Sequence, residues 1–127
     1  MDNTDTKAVQ KEILLGFWKA HILLHAATGP VVGQWMLEEL RRHGYEVSPG
    51  TLYPILHRME GLGWLYSEVD PAGGAKAKRS FYATDKGREV LEIVRRQIGE
   101  LVHESGNIRI ADAEPPSQTE KNRQDLK

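Results

Sequence analysis

Apolar residues recur at helical spacing in four stretches of the chain and alternate with polar ones in two shorter stretches. The first helical stretch is predicted over residues 7–27. At roughly 100° per residue, Glu12, Gly16 and Lys19 share one narrow face and most of the rest is apolar. A helix apolar nearly all round must be covered on two sides, and in so small a domain part of that cover is expected from a second chain. Thr28-Gly29-Pro30 stops it. Residues 31–43 read as a second helix, with Met36, Leu37 and Leu40 inward, Glu38, Glu39, Arg41 and Arg42 outward, and Gly44 at its end. The third begins at Ser48-Pro49 and buries Leu52, Ile55, Leu56, Met59 and Leu62 before Gly63 stops it. Residues 64–69 (WLYSEV) and 79–83 (RSFYA) read as a hairpin of strands joined by a turn-rich loop. Thr84 is a favourable N-cap for a fourth helix, 85–105. In it Leu91, Val94, Ile98 and Leu101 follow the spacing of a helix-pairing seam, widened by Val90, Ile93 and Val102. Residues 106–127 turn polar, with Pro115-Pro116, and read as a disordered tail.

Three helices followed by a hairpin give a mainly α (α+β) fold: a winged helix-turn-helix over residues 7–84, carrying the N-terminal helix, followed by a C-terminal dimerisation helix. In such a motif the later helix enters the DNA major groove and reads it from its N-terminal part. Ser48 suits the N-cap and Pro49 the first helical position, and free N–H groups there can take a phosphate. Thr51, Tyr53, His57 and Arg58 fall off the Leu52/Ile55/Leu56/Met59 face and should point outward, where all four can reach phosphates or bases. The plainer alternative is that Tyr53 packs at the helix edge and that His57 and Arg58 are simply solvated. Pro54 lies beyond the first turn. With the start at Ser48-Pro49 it costs one backbone hydrogen bond and should distort the helix locally; with Thr51 as the N-cap instead, it would sit at the third helical position and cost little. Either way it would help fix how Thr51 and Tyr53 are presented. Lys76, Lys78 and Arg79 populate the wing.

Charge supports this placement mildly. The chain as a whole carries −1, but residues 41–88 hold eight basic and five acidic side chains, an excess of +3, while each flank is at −2. A phosphate-binding surface has this distribution.

The stretch GTLYPILHRMEGLGWL resembles the recognition-helix signature of the PadR family of bacterial transcriptional regulators, through Gly50, Thr51, Leu52, Tyr53, Pro54, Arg58, Glu60 and Gly63. Downstream, FYATDKG resembles the family's segment after the wing through Thr84 and Gly87, and the resemblance spans about residues 10–103. Gly33-Gln34 replaces a common Gly-Tyr, Phe81 stands where tyrosine is usual, and Ala83 where leucine is usual. The resemblance implies a homodimer joined through the first and last helices, so that Leu14, Phe17, Trp18, Val90, Leu91, Val94, Ile98 and Leu101 become interface candidates. It also implies repression at an operator with inverted half-sites, relieved by an effector where one exists, and the single C-terminal helix is similar to the family's shorter members. No tryptophan lies in 85–104, so effector stacking on a tryptophan of the last helix does not carry over.

Trp18, His21 and His25 share a face of the first helix and could line a pocket for a small hydrophobic or aromatic effector. The plainer alternative is dimer core. His21 and His25 are spaced i, i+4, a spacing that can chelate a metal, but no carboxylate accompanies them locally, so no metal and no cofactor is expected. Cysteine is absent, which excludes disulfides and thiolate metal sites and permits a reducing compartment. Neither a Gly-rich phosphate loop nor a paired-carboxylate pattern is present, so an enzyme is not expected. No secretory signal or membrane span is evident, and a cytoplasmic protein whose partners are double-stranded DNA and a second copy of itself is expected. The alternative is a winged-helix module used only for protein contacts.

Overall fold

The computed structural model describes residues 3–106; the tail from Asn107 onward and the side chains of residues 1–4, Ala75 and Lys76 lie outside that description. The first helical run is longer than its pattern predicts. It comprises α1 (Asn3–Val9), a π-helical stretch (Gln10–Leu14) and α2 (Leu15–Thr28), and the backbone stays right-handed helical at the junction residues Val9 and Leu15. No glycine or proline precedes Gly16, so nothing stops the helix from extending into the polar start. It ends as expected: Gly29 N–H and the Thr28 hydroxyl both donate to the His25 carbonyl, and Pro30 follows.

Residues 31–43 are not one helix. Val31–Val32 form a short strand, β1, and α3 covers Gly33–Arg42. Strand β1 pairs antiparallel with β3 (Arg79–Ala83), setting Val31 opposite Phe81 and Val32 opposite Ser80. β3 pairs in turn with β2 (Leu65–Val69), so the wing is the outer part of a three-stranded sheet ordered β1-β3-β2. Two β-branched residues are too few to show a period, and partner pairing decides their conformation. The loop after β2 contains a 3₁₀ turn, Pro71–Lys76, capped by the Asp70 carboxylate on Ala72 N–H.

Both helices of the helix-turn-helix end in the same way. After α3, Gly44 at φ 91° lets Tyr45 N–H reach the Leu40 carbonyl and Gly44 N–H the Arg41 carbonyl. After α4 (Pro49–Gly61), Gly63 at φ 80° lets Trp64 N–H reach Met59 and Gly63 N–H reach Glu60. Each is a left-handed cap that only glycine adopts without strain. Helix α4 runs unbroken through Pro54, without the interruption that an internal proline suggests. The orphaned carbonyl belongs to Gly50 near the helix start, and both residues are exposed, so water can satisfy it.

The core gathers one face each of α2, α3 and α4. Ile22 of α2, Met36 and Leu40 of α3, and Leu52, Leu56 and Met59 of α4 are fully buried. Each such side chain contributes about 1.5–3 kcal/mol relative to an exposed one. Leu62, expected inward, is 37% exposed, because α4 ends at Gly61 and Leu62 already belongs to the cap. Glu39, expected outward, is only 9% exposed, held by Arg42 and close to His25.

Helix α5 (Asp85–Ser105) is anchored by Thr84, whose Oγ accepts from Gly87 N–H at 2.9 Å and donates to the Gly63 carbonyl. Thr84 N–H bonds the Trp64 carbonyl, and the Arg88 guanidinium donates to the Ala27 carbonyl at 2.9 Å. The fold divides into a unit ending at Arg96 and a second unit from Gln97, whose described part is the last turns of α5. Among the described residues no helix is long and apolar enough to cross a membrane.

Candidate nucleic-acid interface

Alternation around α4 separates its two faces. Leu52, Leu56 and Met59 are buried, while Thr51, Tyr53, Pro54, His57 and Arg58 are exposed. Ser48 holds an extended backbone and its carbonyl accepts from the N–H groups of Thr51 and Leu52, as an N-cap should. Its hydroxyl does not cap the helix and lies instead 3.3 Å from the Thr51 hydroxyl. Two hydroxyls and the open N-terminal turn thus stand together at the start of the helix.

Tyr53 has a double role in packing and presentation. Its ring lies against Gly33 at the start of α3; a Cβ there would sit 2.5 Å from Tyr53 Cε1 and 2.7 Å from its hydroxyl. The ring is nonetheless 37% exposed. Gly33 was not among the expected site residues, and the Gly-Gln pair at the start of this helix was its signal.

Between α4 and the wing runs a groove of about 360 Å³ lined by Tyr53 and His57 of α4, Lys78 and Arg79 of the wing, and Gln34 of α3. The fold therefore brings together recognition-helix and wing residues that are twenty or more positions apart in sequence. Lys76 belongs to the same loop, but its side chain is outside the described residues. Among the described residues nothing engages the side chains of Arg58 or Lys78 in a hydrogen bond or ion pair, so both cations are available to a ligand. Arg79 donates to the Ser67 hydroxyl at 2.8 Å, Ser67 donates to Glu60, and the other Glu60 oxygen lies 3.8 Å from His57 Nδ1. Neither Glu60 nor Ser67 stood out as a site residue in the sequence, although Glu60 belongs to the motif quoted above.

The histidines of α2 lie elsewhere. The His21 and His43 rings lie tilted against each other with centres 5.0 Å apart, and His25 meets Trp35 edge-on at 5.1 Å. Burial, and then the neighbouring His43 and His25, hold His21 below its ordinary pKa. The hydrogen bond from Arg42 holds the Glu39 carboxyl below the usual carboxylate range. Among the described residues no three histidine or acidic side chains converge as a metal ion requires.

Trp18 and Leu91, expected at a subunit contact, are instead in the core of a single chain, at 3% and 9% exposure. Trp18 packs against Tyr45 with ring centres 5.7 Å apart, which also removes it from an open effector pocket beside His21 and His25. A helix apolar on several faces does not reveal which of them its own domain will cover. The remaining candidates stay partly or largely accessible: Leu14, Phe17, Val90 and Val94 are half-buried, and Ile98 and Leu101 are exposed. The open cleft beside His25 is lined by Trp35, Gln34, Glu38 and Lys78 and has a volume of about 630 Å³.

The "Transcriptional regulator PadR-like family" matches residues 22–93. Over 86 residues the chain is 51% identical to "Transcriptional regulator Rv3488" of Mycobacterium tuberculosis, spanning 68% of this chain and 79% of that protein. A PadR-like transcriptional regulator from Bacillus cereus superposes with a TM-score of 0.66 at 25% identity, covering 84% of this chain and 99% of that one. A PadR family regulator from Eggerthella lenta gives 0.59 at 27% identity, covering 83% and 96%. The match takes in α3, α4, the wing and the first turns of α5, and with it the chain belongs to the PadR-like family of transcriptional regulators.

Proposed function

We propose that this chain is a sequence-specific, DNA-binding repressor that acts in the cytoplasm as a homodimer on an operator with inverted half-sites. The observation that carries the reading is the groove lined by Tyr53 and His57 of α4 and by Lys78 and Arg79 of the wing, with Arg58 exposed on the same helix. Helix α4 enters the major groove, Thr51 and Tyr53 near its N-terminus meet base edges or phosphates, and Arg58, Lys78 and Arg79 take phosphates. Two copies related by a two-fold axis place their α4 helices about 34 Å apart, one turn of DNA. The dimer forms through the accessible apolar side chains of the first helical run and of α5, with Ile98 and Leu101 central. A small hydrophobic or aromatic effector stacks on Trp35 in the cleft beside His25, close enough to Lys78 to disturb the wing.

The test is footprinting on the promoter upstream of the protein's own gene. A two-fold symmetric protected site, lost in Tyr53→Ala and Arg58→Ala variants that still fold, supports the reading. No protected site at moderate salt, with an intact fold, supports a protein-contact module instead.

A further inference from the structure

Glu60 puts a carboxylate beside the proposed phosphate-binding surface, where simple electrostatics makes it unfavourable. Its contacts explain its presence. Glu60 on α4 accepts from Ser67 on β2, and the same Ser67 hydroxyl accepts from Arg79 Nη1 on β3 at 2.8 Å. A hydroxyl can donate once and accept as well, so Ser67 is filled on both sides and its orientation is fixed. The other Glu60 oxygen faces His57 Nδ1 at 3.8 Å, and the His57 ring sits edge-on to Phe81 at 6.3 Å between centres. One carboxylate thus links the helix to both strands of the wing. Glu60 is two-thirds buried and cannot itself face a phosphate squarely.

We propose that Glu60 is a positioning residue for DNA binding: through Ser67 it holds the Arg79 guanidinium of the wing at a fixed setting relative to the recognition helix. This rests on the DNA-binding reading above. A guanidinium has five donors, and the bond to Ser67 uses one of them, so the rest stay free for phosphate oxygens. Holding the side chain in place before binding reduces the ordering cost that a flexible arginine would incur on the complex.

The proposal reverses the expected sign of a charge mutation. Removing a negative charge near DNA should tighten binding, yet Glu60→Ala should weaken it by roughly fivefold to thirtyfold at moderate salt and flatten the salt dependence as Arg79→Ala does. Glu60→Gln keeps an acceptor for Ser67 and should bind as the parent does or more tightly. The decisive experiment is a double-mutant cycle of Glu60→Ala with Arg79→Ala on operator DNA, read by fluorescence anisotropy across a salt series. If Glu60 acts through Arg79, its removal in the Arg79→Ala background adds little. Full additivity, or Glu60→Ala binding as tightly as the parent, overturns the proposal. Should Glu60→Ala melt early, Ser67→Ala breaks the same relay and must give the same non-additivity. Hydrogen exchange of the Arg79 side chain in the free protein supplies a readout that needs no DNA. It should quicken in Glu60→Ala and not in Glu60→Gln, and equal rates in both overturn the relay even if the DNA-binding reading itself fails.

Discussion

Gly87→Ala is the substitution whose cost the geometry defines most sharply. A Cβ at Gly87 would lie 2.1 Å from the Trp64 carbonyl oxygen and 3.0 Å from its carbon. These are backbone atoms, so no side chain can swing away, and the first turn of α5 or the start of β2 must move by about 1 Å to restore contact distance. That carbonyl already accepts the Thr84 N–H, and Thr84 caps α5 through Gly87 N–H while donating to Gly63. Overpacking of this kind costs about 1–3 kcal/mol, a lost cap about 1, and a disturbed backbone hydrogen bond about 1. A total near 3–5 kcal/mol is a large part of the roughly 5–15 kcal/mol that holds a domain together. Urea unfolding followed by tryptophan fluorescence at fixed protein concentration measures it. Gly61→Ala is the control, since a Cβ there meets nothing within 4 Å, and it should be neutral or slightly stabilising. A Gly87→Ala protein within about 0.5 kcal/mol of the parent would refute the reasoning, because the approach of Gly87 to the Trp64 carbonyl could not then be so close.

Gly33→Ala presses on the movable end of the Tyr53 ring rather than on backbone, so it should cost little in melting temperature but weaken DNA binding several-fold; in a Tyr53→Ala background the same change should leave binding unaltered. Ile98→Asp and Leu101→Asp should give folded monomers by light scattering, whereas Leu91→Asp, buried in one chain, should unfold it; folded dimers from all three would contradict the interface assignment. Stability should fall as pH drops from 7 to 5. The unfolded chain protonates His21 near 6.5, while the folded chain, where that pKa is lowered, resists the proton. Glu39, with a lowered pKa, contributes above about 4.5 and loses its contribution only in stronger acid. His21→Gln should therefore flatten the slope of urea midpoints between pH 5 and 7, and an unchanged slope would count against the assignment.

Much of this fold is legible in the order of residues because single residues carry backbone constraints. Gly44 and Gly63 mark the two left-handed caps, Ser48-Pro49 marks the start of α4, and Thr84 with Gly87 marks the start of α5. The two faces of α4 follow from periodicity alone. What the pattern does not convey depends on partners distant in sequence. Val31–Val32 become a strand only because β3 lies alongside. Glu39 is buried only because Arg42 and His25 are there to hold it. Trp18 and Leu91 lie on helices with apolar residues on several faces, and spacing cannot say which face meets its own core. The candidate site is legible as a set of outward cations and hydroxyls. Its internal order, with Tyr53 seated on Gly33 and Arg79 tied through Ser67 to Glu60, required the helix and the wing to be in place.

The central claim, that α4 and the wing together neutralise DNA phosphates, is tested most directly by the salt dependence of binding to the operator upstream of the gene. Each protomer offers Arg58, Lys78 and Arg79, six cations in the proposed dimer, so the log–log slope should be about −5, and Arg79→Ala should flatten it by about 2, one contact from each protomer. A slope near zero, or one unchanged by losing Arg58, Lys78 and Arg79 in turn, would contradict the account.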